Sequence, residues 1–247
     1  MNLDARMKRY EAVTNTVLYR RCPVVCRLDG HHFHTFTRGL EKPFDEVFVK
    51  SMQQTMEALC KNIQGCVFGY TQSDEITLVL IDYQTLDTDA WFDYRVEKMC
   101  SVAASMATRY FNKFFFENAE SMKNASENYD IYKRKFWEAE FDCRVFNVPK
   151  EDVCNCVLWR QKDAEKNSVQ SLAQTLFSQS ELNGVSNKAL QDKMFTEKSV
   201  NWNDLPTYLK RGSACKKDDD GKWCIDLDMP ILTKDRDYLE KVVMIEN

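Results

Sequence analysis

From Leu3 to Leu18, apolar side chains recur at helical spacing among charged ones (LDARMKRYEAVTNTVL), which predicts an opening helix. The pattern changes at Pro23. PVVCRL, Pro23 to Leu28, is a short β-branched run opened by a proline and closed by Asp29-Gly30, and it reads as a strand. FDEVFVKSMQQTMEALCKNI returns to helical spacing. CVFGYTQSDEITLVLID then holds two apolar runs separated by the polar turn formers Thr71 to Glu75, the mark of a hairpin. DAWFDYRVEKMCSVAASMATRYFNKFF is a long helix whose Ala-, Ser- and Met-rich middle suits close packing on a sheet. FDCRVFNVP is a strand ended by Pro149. Pro23 to Pro149 therefore runs strand, helix, hairpin, helix, strand, which predicts an α+β fold with a ferredoxin-like antiparallel sheet and helices on one face. Beyond it, KEDVCNCVLWRQKDAEKNSVQSLAQTLFSQSEL reads as mostly helical and the remainder as short elements and loops, with KKDDDGKW a charged turn between Cys215 and Cys224. These patterns divide the chain into a domain over 1–149 and a helical or irregular C-terminal region over 150–247 packed on it.

Composition narrows the class. At 247 residues the chain can bury a proper core, and its net charge of -4 gives no global sign of a nucleic-acid binder, so such a partner has to be met by local basic patches. The ten cysteines are not spaced as the C-x-x-C knuckles of a structural zinc site. They are expected to be mostly buried and inert. The start, MNLDARMKRYEA, is charged and lacks the apolar core of a signal peptide, and no apolar run approaches membrane-spanning length. The expectation is a soluble cytoplasmic protein with reduced thiols and no membrane partner.

Candidate chemistry begins with two acidic turns. The end of the first strand and the tip of the hairpin lie side by side in the expected topology, so Asp29 and Asp74 should converge. Paired carboxylates repel, and divalent cations relieve that repulsion. Magnesium suits such a site, because it takes oxygen ligands and leaves positions for water and phosphates. The Gly30 carbonyl is a further possible ligand. Taken singly, Asp-Gly and Ser-Asp are ordinary turn dipeptides. Glu75 is either another metal ligand or a cap on the hairpin tip. His31, His32 and His34 do not have zinc-ligand spacing, and a turn is expected to point them apart. His34 beside a phosphate is the better reading.

Five blocks in order, RLDGHHFHTF, GYTQSDEITLVL, FDCRVFNVP, VLWRQKDAEKNS and NDLPTYLKRG, resemble the histidine-tRNA guanylyltransferase superfamily, whose enzymes add nucleotides to RNA in the 3′ to 5′ direction. The resemblance implies a palm-type catalytic domain over 1–149. It implies that a nucleoside triphosphate, GTP or ATP, attacks an activated tRNA 5′ end through its 3′-hydroxyl and expels pyrophosphate. It implies two magnesium ions held by Asp29, the Gly30 carbonyl and Asp74, with Glu75 beside them. It implies nucleotide contacts from Asp29, Gly30, His31, His32, Phe33, His34, Ser73 and Asp74, triphosphate contacts from Lys42, Arg95 and Lys98, and an Asn167 contact near the nucleotide or RNA end. A homotetramer is also implied. Arg95 and Lys98, three apart on the expected helix, would share a face.

One departure shifts the expected reaction. Where the eukaryotic enzymes carry a His-Ile-Asn-Asn type motif, this chain has Ala164-Glu165-Lys166-Asn167-Ser168, with Glu165 at the histidine. That places it with the guanylyltransferase-like branch, which favours template-directed repair of 5′-truncated tRNAs. Addition of a single guanosine to histidine tRNA is the alternative, and a non-catalytic tRNA-binding module a third. For RNA, Lys133, Arg134 and Lys135 in YKRKFW interleave bases with aromatics, and Lys210 and Arg211 form a second cluster. Arg27 and Arg144 on the strands are weaker candidates.

Overall fold

The computed structural model describes residues 1–245. The last two residues of the 150–247 region lie outside it. Its elements in chain order are α1 (Leu3–Glu11), β1 (Val24–Gly30), α2 (Phe33–Phe36), α3 (Glu46–Asn62), β2 (Cys66–Gln72), β3 (Glu75–Leu80), α4 (Val96–Ser121), α5 (Tyr129–Lys133), β4 (Phe141–Asn147), α6 (Val153–Leu176), α7 (Gln179–Leu182), α8 (Asn187–Lys198), α9 (Thr207–Arg211), β5 (Ser213–Lys217), β6 (Trp223–Asp226) and α10 (Asp237–Val243).

The six strands form one antiparallel sheet in the order β4-β1-β3-β2-β5-β6. Its first four strands have the ferredoxin-like arrangement that the element order predicts. The sheet does not stop there. Two further strands, β5 and β6, extend it from the C-terminal region, where the pattern predicts only short elements and loops, and are joined by the charged turn at Asp218–Lys222.

Strand alternation sorts the layers. Val24, Cys26 and Leu28 of β1 face a core shared with Met52, Met56 and Leu59 of α3 and with Ala103, Ala107 and Phe111 of α4. The i, i+4 run of Ala103, Ala107, Phe111 and Phe115 gives α4 its sheet-facing stripe. Val25 faces the opposite way, into a core with Val153 and Val157 of α6 and Leu239 and Val243 of α10. Helices α3 and α4 thus cover one face, while the C-terminal region supplies the layer on the other. A third cluster, Leu172, Phe177, Leu190, Met194 and Trp202, holds α8 against the second half of α6.

The long central helix starts later than its pattern implied. Phe92, Asp93 and Tyr94 take left-handed φ values of 52°, 52° and 56°, so helical geometry begins only at Val96. Arg95 is an extended residue before the helix.

All ten cysteines are free thiols, each buried or half-buried. Among the described residues, no helix is long and apolar enough to cross a membrane.

Candidate active site

The β2–β3 hairpin closes with a two-residue loop, Ser73-Asp74, because Thr71, Gln72 and Glu75 belong to the strands. Ser73 supplies the positive φ, 49°, that such a short loop requires. Register does the rest. Asp29 of β1 lies directly opposite Glu75 of β3, and the Gly30 amide donates to the Asp74 carbonyl at 3.0 Å. The expected convergence of Asp29 with the hairpin tip is therefore present.

Gly30 is the last residue of β1 and does not form an Asp-Gly turn. A Cβ there would overlap the ring of Phe33, which packs against Phe36, Phe48, Phe111 and Phe141 at centroid distances of 5.0–6.0 Å. The glycine is needed so that the chain can fold Phe33 back beneath the strand end. Gly30→Ala is expected to cost about 1–3 kcal/mol in stability by overpacking. Chemical denaturation checks it, and a midpoint equal to wild type would show that Phe33 does not hold this end of β1.

Asp74 sits in a desolvated setting that pushes its carboxyl above the ordinary aspartate range, and the negative charge of Asp29 pushes the same way. Among the described residues, Asp74 donates no amide hydrogen bond back to the Gly30 carbonyl, which leaves that oxygen open beside two carboxylates. No group of three or more His, Cys, Asp or Glu side chains here is arranged to hold a metal alone. Magnesium needs less than that: one or two carboxylates, with waters and substrate phosphates completing its octahedron. The oxygen donors present fit it.

These residues also make a crossover prediction. In chelator, Asp74→Asn should melt above wild type, because it removes a desolvated like charge. In excess magnesium the order should reverse, since occupancy at 100 times Kd adds about 2.7 kcal/mol to wild type. Thermal melts with and without magnesium check both halves.

Glu75 is buried and engaged. The Arg160 Nε donates to Glu75 Oε1 at 2.7 Å and its second guanidinium arm to Asp163 Oδ2 at 3.0 Å. Burial raises the Glu75 carboxyl, the Arg160 charge opposes that rise, and Asp29 adds to it. The side chain does not cap the hairpin tip. Asp142 of β4 faces Asp29 from the other side, so three carboxylates cross the sheet in one row: Asp142, Asp29, Glu75. Arg144, Arg27 and Thr77 form the next row inward. Neither Arg160 nor Asp142 was singled out from the sequence. Arg160 is 85 residues from its partner, and Asp142 looks like any strand-surface residue until the register is known.

The three histidines are exposed, in and just beyond a turn in which His32 has φ 54°. They do not point apart as expected. The His31 and His32 rings are 4.0 Å apart and the His32 and His34 rings 5.8 Å, because the left-handed residue bunches them. Phe33, by contrast, is a buried core residue.

Beside the hairpin tip lies a cleft of about 280 Å³. Lys42, Phe44 and Phe48 line one side, Ala164, Asn167 and Ser171 of α6 the other, and Thr71, Gln72 and Ser73 lie between them. Lys42, Ser73 and Asn167 are thus brought together from three distant parts of the chain. Arg95 and Lys98 are not. Tyr94 and Leu18 are hydrogen-bonded next to Tyr19, whose amide donates to Asn147 at the far end of β4 from Asp142. That puts both basic residues at the opposite end of the sheet, about 20 Å from Asp29 by strand length. They share no helical face toward the carboxylates, since Arg95 precedes the helix.

Of the other basic candidates, Lys133 and Arg134 are exposed, and Lys135 lies over Phe36 at 5.5 Å. Arg144 is exposed and 3.6 Å from Asp142. Lys210 donates to the Asn203 carbonyl at 2.6 Å, and Arg211 pairs with Glu165 at 3.3 Å. The last two therefore have structural roles in joining α9 to its surroundings.

Comparison with known proteins places this geometry. The family model described as tRNAHis guanylyltransferase matches residues 4–149. A bacterial tRNA(His) guanylyltransferase-like protein solved in complex with ATP is 39% identical, with a TM-score of 0.88 over 99% of this chain and 100% of that one. A bacterial tRNA(His) guanylyltransferase-like protein solved with GTP is 35% identical, with a TM-score of 0.79 and the same coverage. The tRNA(His) guanylyltransferase of Saccharomyces cerevisiae is 26% identical over 221 residues, 81% of this chain and 84% of that protein. The family match spans more than half of the sequence and the similarity to these solved structures nearly all of it, and the chain belongs to the tRNA(His) guanylyltransferase family of nucleotidyltransferases.

Proposed function

We propose that this protein is a magnesium-dependent 3′ to 5′ nucleotidyltransferase that repairs the 5′ ends of truncated tRNAs, copying the opposite strand. The observation that carries the reading is the meeting of Asp29, Asp74 and the open Gly30 carbonyl at the hairpin tip, next to a cleft shared by Lys42, Ser73 and Asn167. Two bound magnesium ions would supply Lewis acidity to the attacking 3′-hydroxyl and charge neutralisation to the departing pyrophosphate. Asp29 and Asp74 are the residues that would hold them. The cleft receives the nucleoside triphosphate, and Lys42 contributes positive charge toward its phosphates. His34, exposed beyond the strand end, would donate to a phosphate oxygen. That relatives were solved with ATP and with GTP agrees with two nucleotide roles, ATP adenylylating a 5′-monophosphate and a second nucleotide being added.

Repair is favoured over strict guanosine addition by Glu165. The family histidine is replaced by a carboxylate that pairs with Arg211, so this position ties α6 to α9. A binding module without chemistry is disfavoured, since the desolvated Asp74 beside Asp29 is a cost that hydrogen bonds from its own amide and from Ser73 oppose and that cation binding would offset further. In the homotetramer implied by the family resemblance, Arg95 and Lys98 would be available to a neighbouring copy.

The test is extension of four substrates side by side: full-length and 5′-truncated tRNA, each mono- and triphosphorylated. Truncated tRNAs should gain the nucleotide complementary to the template. Preferential guanosine addition to intact histidine tRNA would favour the alternative.

A further inference from the structure

Trp159 is a large aromatic side chain that the site leaves unexplained. It is 53% exposed, although an indole of this size normally buries most of its surface. It lies on α6 next to Arg160, whose bond to Glu75 pins the helix to the sheet at this point. The Arg160 guanidinium is 4.6 Å from the indole centroid, and that of Arg27 is 5.4 Å away. Arg27 precedes Asp29 by two residues on the same face of β1, about 7 Å along the strand. Arg144 of β4 is its register partner. An exposed indole and a set of guanidinium groups are therefore gathered on the sheet face that carries the carboxylate row. The cleft lies elsewhere, beyond the hairpin tip and about two turns further along α6, where Asn167 lines it.

We propose that Trp159 is the stacking platform for a terminal nucleobase of the RNA acceptor end, with Arg27 and Arg144 holding the adjoining phosphates. This rests on the function proposed above and adds the residue that fixes the RNA end. Stacking on an indole is tolerant of base identity, and planar guanidinium groups grip phosphates bidentately. Such tolerance suits an enzyme whose RNA ends differ in sequence. A mononucleotide is the poorer occupant, since the cleft on the other side of the carboxylates already serves it. The base comes either from the 5′-terminal nucleotide or from the 3′-strand nucleotide left unpaired opposite the missing position; both offer the same π-face.

The experiment compares wild type, Trp159→Ala and Trp159→Phe on tRNA lacking its first nucleotide. Three forms of this RNA are used: all bases present, abasic at the 5′ terminus, and abasic at the 3′-strand nucleotide opposite the missing position. Trp159→Ala should raise KM for RNA about tenfold, with KM for the nucleotide unchanged and Trp159→Phe recovering most of the loss. One abasic RNA should weaken wild-type binding by a similar factor and leave Trp159→Ala binding no worse, which identifies the base that stacks. Binding of the same RNAs by fluorescence anisotropy needs no catalysis, so it judges the platform even if extension fails. Equal binding of all three RNAs by wild type, or full multiplication of the Trp159→Ala and abasic penalties, would overturn the proposal.

Discussion

Asp29→Ala and Asp74→Ala each lower extension of a 5′-truncated tRNA by about 10³-fold or more, while binding to the same RNA falls far less. The magnitude follows from what metal coordination supplies to phosphoryl transfer, several kcal/mol of transition-state charge stabilisation, with each 1.4 kcal/mol a factor of ten in rate. The two residues come from different strands and meet only through register: Asp29 at the end of β1, Asp74 in the hairpin loop whose carbonyl receives the Gly30 amide. Loss of either should abolish the magnesium-dependent rise in melting temperature as well as the reaction. Single-turnover rates and thermal melts on the same preparations check both effects. A variant that keeps its rate while losing the melting response would separate the metal from catalysis and contradict the two-metal assignment.

The largest stability effect is expected at Arg160. Replacing it by methionine leaves Glu75 buried without its cation, a change that typically costs about 3–5 kcal/mol. For a chain of this size that lowers the melting temperature by about 10 °C. Removing both charges with Arg160→Met and Glu75→Leu should restore most of that loss, because the penalty lies in the orphaned charge and not in the missing pair. The double variant should still be inactive in extension, since α6 would lose the Arg160–Glu75 link that fixes it beside the carboxylate row. A double-variant melt as low as the single one would show that the pair stabilises the fold directly.

Much of this was readable before the structure. Short apolar runs bounded by turn residues marked each strand of the ferredoxin-like core, which is covered on both faces, and helical spacing marked both of the helices packed on one face. The proximity of Asp29 and Asp74 followed from topology alone. What escaped depended on partners distant in sequence or on single backbone residues. Arg160 reads as an ordinary helix residue until α6 lies across β3. The strands β5 and β6, of five and four residues, are too short to stand out, and are stabilised as strands by pairing, β5 with the edge left open by β2 and β6 with β5. The delayed start of α4 comes from three consecutive positive φ values at Phe92, Asp93 and Tyr94, residue types that give no such signal. That delay moved Arg95 off the helix. Gly30, readable as a turn glycine, owes its place to the ring of Phe33.

Template-directed extension of RNA 5′ ends at the Asp29–Asp74 site is decided by incubating wild-type protein with a 5′-triphosphorylated tRNA lacking its first nucleotide, each of the four nucleoside triphosphates in turn, and magnesium or chelator. The expected result is a one-nucleotide product with the triphosphate complementary to the opposite base, released pyrophosphate in equal amount, and neither in chelator. Addition of guanosine whatever the opposite base, or no product while the tRNA binds tightly, would contradict it.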